Sequence, residues 1–157
     1  MQNTWDKVVT FLAGIAGAIA GLFGGWNTML TILAIVMVVD YLSGLILAWR
    51  GLSPKTEHGG ASSKAGFDGL AKKAVIILII LVATLVDNAL NVGSMVFQTA
   101  ACFYYVANEA LSVLENAALL GVPFPAGLKN ALEAMKSKGD ASGGTEYSPP
   151  DDSDINE

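Results

Sequence analysis

Four stretches of this chain are long enough and poor enough in charge to cross a lipid bilayer, and they leave little sequence for anything else. Residues 8 to 26 carry no charged side chain, 28 to 49 carry only Asp40, 74 to 92 only Asp87, and 95 to 114 only Glu109. A bilayer core of about 30 Å needs about 20 largely apolar helical residues. The second stretch, TMLTILAIVMVVDYLSGLILAW, would make a helix about 33 Å long at about 1.5 Å per residue. The composition points the same way. With 53% hydrophobic and only 15% charged residues, the chain falls well short of the roughly one quarter charged that ordinary soluble domains carry.

The charges that remain are placed rather than scattered. Basic residues are Lys7 before the first stretch, Arg50, Lys55, Lys64, Lys72 and Lys73 between the second and third, and Lys129, Lys136 and Lys138 after the fourth. The turns at 24–27 and 87–94 have none. The bias of Lys and Arg toward the cytoplasmic side then places both termini and the basic loop in the cytoplasm. The expected fold is an all-α membrane protein with four transmembrane helices, over about 8–26, 28–49, 74–92 and 95–114. A short amphipathic helix over about 126–137 follows, with Leu128, Leu132 and Met135 opposite Lys129, Glu133 and Lys136, to lie on the inner membrane surface or pack on a partner. Residues 1–138 make up the membrane domain. The segment 139–157 has six acidic residues and no base, and such a composition predicts a disordered tail.

The net charge of -5 comes from that tail and gives no footprint for nucleic acid. The first stretch is built largely from Gly and Ala. Gly14, Gly17, Gly21 and Gly25, and Gly44 in the second stretch, are candidate helix-packing positions, because small faces let helices approach closely in lipid. Ala18–Ile19–Ala20 mimics a signal-peptidase site, but the apolar run continues through Leu22, Phe23 and Trp26, so the segment reads as a retained span. Cys102 reads as a buried thiol and His58 as a solvated loop residue. Neither sits in a metal-ligand spacing, and no nucleophile motif or phosphate loop occurs, so the chain is not read as an enzyme and no cofactor is expected.

An acid deep in a span is expensive and faces protein or water. Candidate pore-lining or buried polar residues are therefore Asp40, Ser43, Asp87, Asn108, Glu109, Ser112 and Asn116. On the four-span topology Asp40 and Glu109 lie at similar depth. They share a site with one of them protonated, or both face water, or each is satisfied separately by neighbouring Ser, Asn or backbone groups.

These polar residues also carry a resemblance. MVVDYLSGLILAWR, GFDGLAKK and ANEALSVLENAALLGVPFPAGLKNALEAMK are similar to the phage lysis and toxin secretion holins of phages of Gram-positive hosts and of clostridial toxin loci. The similarity spans about residues 28 to 138, and Asn108, Glu109, Ser112, Glu115, Asn116, Gly121, Pro123 and Pro125 are its most specific part. It implies a multi-pass protein of the host cytoplasmic membrane that forms a homo-oligomer in the lipid bilayer. At a set time it would open lesions that release an endolysin or a toxin, with an antiholin as a possible partner. A non-lytic reading, a small ion channel or pinholin or an antiholin, stands beside it.

Overall fold

The computed structural model describes residues 4–56, 58–91 and 93–143, excepting the side chains of 140–143. It is built from five helices, α1 (Thr4–Leu22), α2 (Thr28–Trp49), α3 (Ser63–Leu90), α4 (Val96–Leu119) and α5 (Ala126–Gly143), with no strand among the described residues.

Each boundary has a local cause. The Asn27 side chain accepts a hydrogen bond from Leu30 N at 2.9 Å and so caps α2; an Asn at this position satisfies one of the orphan N–H groups of the first turn. Gly51 (φ 72) and Gly121 (φ 77) follow the last residues of α2 and α4 in the left-handed region, where an L side chain would be strained and glycine is not. The first turn of α4 has no side-chain cap of its own. Asp87 of α3 supplies it, accepting from Phe97 N at 3.0 Å and Gln98 N at 2.8 Å.

Several boundaries differ from those read off the sequence; α1 starts at Thr4 and α4 runs on to Leu119. α3 begins at Ser63, where Ser62 accepts from Ala65 N, so 63–73 belongs to the helix and not to the loop, and Lys72 and Lys73 move onto α3. α1 ends at Leu22, and Gly25 (φ 101) lies in the turn beyond it, not on a helix face. α5 runs on to Gly143, so 139–143 is helix. The disorder expected over 144–157 lies outside the described residues.

α4 is the centre of the bundle, packed between α2, α3 and α5. α2 and α4 are parallel, since Asn27 meets Gln98 at one end and Ser43 meets Asn116 at the other. α3 is antiparallel to both, with Thr84 at Gln98 and Lys73 at Glu109. Between those ends the core is apolar: Leu30, Leu33 and Met37 of α2, Ile76 and Ile80 of α3, Cys102 and Val106 of α4, and Phe23 from the turn after α1. α1 itself has no buried residue. α5 folds back along α4 and packs on its own chain, not on a partner.

Three helices, α1, α2 and α3, are long and apolar enough to cross a membrane. α4 has the length, at 24 residues, but not the hydropathy, and its position explains why. Packed among α2, α3 and α5, it keeps Gln98, Glu109 and Asn116 buried against protein.

Candidate functional site: a buried charge cluster

The stripe of α2 that faces the bundle runs Leu30, Leu33, Met37, Asp40, Gly44, Leu47, and that of α3 runs Lys73, Ile76, Ile80, Thr84, Asp87, all at helical three- and four-residue steps. The α3 stripe is apolar in the middle and polar at both ends, and the α2 stripe carries Asp40 level with Lys73, so packing the helices gathers the polar residues into two clusters.

The first cluster holds one base between two acids. Lys73 Nζ donates to Asp40 Oδ2 at 2.8 Å and also to Glu109 Oε2, and the three side chains are only 13%, 12% and 8% exposed. Asn116 Nδ2 donates to Ser43 Oγ at 2.8 Å and reaches Asp40 Oδ1 at 3.5 Å, while Ser43 Oγ donates to the Asp40 carbonyl at 2.9 Å. Gly44 faces that amide; a Cβ there would lie 3.9 Å from Asn116 Nδ2, in ordinary contact with it. Buried ions are tolerated when paired and hydrogen-bonded, and this set has formal charge of one negative unit spread over two carboxylates and an ammonium. Asp40 and Glu109 thus lie at one site with Lys73 between them as counter-ion, an arrangement that was not among the alternatives read from the sequence. A cavity of about 670 Å³ leads to the cluster between α2, α3 and the 51–62 loop, and Asn108 and Ser112 line it together with Lys73 and Glu109.

The second cluster ties the opposite ends of the helices together. Gln98 Nε2 donates to Thr84 Oγ1 at 2.7 Å and to the Phe23 carbonyl at 2.9 Å, and Gln98 Oε1 accepts from Asn27 Nδ2 at 2.7 Å. One amide thus joins α2, α3, α4 and the turn after α1. Asp87 belongs here, as the cap of α4, and not with Asp40 and Glu109.

The structure therefore unites Asp40, Ser43, Glu109 and Asn116, places Asn108 and Ser112 at the cavity beside them, and sets Asp87 apart. Lys73, Asn27, Thr84 and Gln98 were not singled out from sequence. Lys73 was hidden because it borders the loop, yet its spacing to Ile76, Ile80, Thr84 and Asp87 is the signal that reveals it. Of the candidate packing glycines only Gly44 meets another helix; a Cβ at Gly14, Gly17 or Gly21 would find no atom within 4 Å.

Comparison with known proteins bears on the same segments. The model of the bacteriophage holin family matches residues 17–137, from the second half of α1 through most of α5. An uncharacterized 14.9 kDa protein of Clostridium perfringens is 33% identical over 138 residues, covering 88% of this chain and 99% of that protein. The uncharacterized protein YqxH of Bacillus subtilis is 30% identical over 118 residues, covering 74% and 77%. A probable holin of Bacillus phage phi105 is 29% identical over 112 residues, covering 71% and 76%. No solved structure matches significantly. On the family match and the relatives together, this chain belongs to the bacteriophage holin family.

Proposed function

We propose that the protein is a holin that oligomerises in the host cytoplasmic membrane and forms lesions wide enough to release an endolysin or a toxin. The observation that carries this reading, beyond family membership, is the division of its surface and interior. α1, α2 and α3 turn Phe11, Ile15, Ile35, Val38, Leu78 and Val82 outward, all more than 40% exposed, while the acids and base of the spans are satisfied within the protomer. Such a protomer is stable in lipid before any lesion opens, as a protein that accumulates in a membrane must be. In this reading α4 is the fourth span, sheltered by its neighbours, and both termini are cytoplasmic. Asp40, Ser43, Glu109 and Asn116 hold the protomer together.

The test is inducible expression in a bacterium carrying a cytoplasmic reporter enzyme of endolysin size, with membrane potential and reporter release followed together. Depolarisation with reporter release after a delay is expected. Depolarisation with the reporter retained would assign the protein to small channels or pinholins, and no effect on either would favour an antiholin.

A further inference from the structure

We propose that the outward face of α5, with Lys129 and Glu133, lines the water-filled lumen of the assembled lesion, and that α5 stays on α4 when the lesion opens. The proposal rests on the holin reading above and names the surface that meets water.

α5 is seated closely. A Cβ built on Gly139 would lie 2.7 Å from Tyr104 Cβ and 2.9 Å from its Cα and N, so the two helix backbones are in contact there. Lys136 Nζ stands 5.4 Å from the centroid of the Tyr104 ring, a cation–π distance. Met135 packs against the apolar core. α5 thus extends from the inner end of α4 back to Tyr104, about 20 Å at about 1.5 Å per residue.

That carries it into the apolar belt. Tyr104 is two helical turns inward of Gln98, the residue that marks the second cluster. At this level α2 exposes Ile32 and Ile35 and α3 exposes Leu78 and Ile79. α5, however, is not an apolar helix. Lys129 and Glu133 form an ion pair at 3.6 Å with both side chains more than half exposed. Glu133 lies about 9 Å and Lys129 about 15 Å inward of Gly139 along the helix, within the length of α4, where a charged side chain facing hydrocarbon is costly. The two sides of the protomer therefore suit two media: hydrocarbon against α1, α2 and α3, and water against α5. Water at that depth needs an enclosing wall. One protomer offers a single polar helix, which encloses nothing, whereas several copies arranged about an axis with α5 inward form a lumen.

The experiment uses full-length protein with Cys102→Ala, reconstituted in phosphatidylethanolamine and phosphatidylglycerol vesicles loaded with a reporter enzyme. Phe103→Cys and Ala134→Cys are introduced together, since both residues line the cavity of about 390 Å³ between α4 and α5, and are joined by a short bifunctional thiol reagent. In a separate protein, Ser137→Cys carries a fluorophore. We expect the cross-linked protein to release reporter as the uncross-linked one does, and the fluorophore at 137 to be quenched by aqueous iodide and not by lipids brominated along their chains. Loss of release confined to the cross-linked protein would show that α5 must leave α4 and would overturn the proposal. Stronger quenching by brominated lipid would overturn it as well. Absence of release from the uncross-linked Cys102→Ala protein would sink the holin reading itself, a different result from either.

Discussion

Removing the ammonium of Lys73 would leave two carboxylates, Asp40 and Glu109, facing each other in a site where their side chains are 12% and 8% exposed. Breaking a buried ion pair by deleting one partner costs about 3 to 5 kcal/mol, mostly because the other charge is left uncompensated. Lys73→Met is therefore expected to lower the thermal unfolding midpoint in detergent sharply, and an unchanged midpoint would show that the cluster contributes little. The two acids were legible as a pair from depth alone, because each is the single charge in a long apolar stretch. Their base was not. Lys73 sits where a polar segment gives way to an apolar one, and a charge at such a border counts equally well as the last residue of a loop or the first of a buried stripe. Gln98, Thr84 and Asn27 escaped for a related reason: uncharged polar residues carry little penalty in a hydropathy scan, although buried together they form the second cluster.

The apolar middles of the helices could be placed from sequence because hydropathy is a property of the element itself. The ends and the neighbours could not, since α3 gains its first turns from a cap at Ser62, and α4 is polar on account of what packs around it. Nor could the partner of the Gly/Ala-rich α1 be read. In the protomer it has none along the glycine face: Gly17 and Gly21 meet no atom within 4 Å, whereas Gly44 approaches Asn116. This contrast makes a prediction. Gly21→Leu should leave the protomer's unfolding midpoint unchanged and reduce inter-subunit cross-linking in membranes if α1 packs between copies, while Gly44→Leu should destabilise the protomer by displacing the Asn116 amide. Equal cross-linking by wild type and Gly21→Leu would remove α1 from the assembly interface.

For the whole molecule, the family match and the arrangement of surfaces join in one picture. Asp40, Lys73, Asp87 and Glu109 lie inside the protomer, hydrocarbon-compatible side chains cover three helices, and one polar helix is held against the central one. The proposed topology follows from it and from the basic residues: a reporter active only in the cytoplasm should work when inserted at Gly121, between α4 and α5, and fail when inserted at Ser94, between α3 and α4. Activity at Ser94 would invert the orientation. The picture also divides structural charge from permeating charge, and that division is its central claim. Replacing the whole buried set by apolar residues of similar size is often neutral or stabilising, in contrast to removing one member. The measurement is delayed reporter release from cells expressing Lys73→Met alone or Asp40→Leu, Lys73→Met and Glu109→Leu together, each matched for membrane level. Loss of release in the single variant and its return in the triple variant is the predicted result. A triple variant that folds, inserts and assembles yet never releases the reporter would contradict it, and would make these charges part of the path through the membrane.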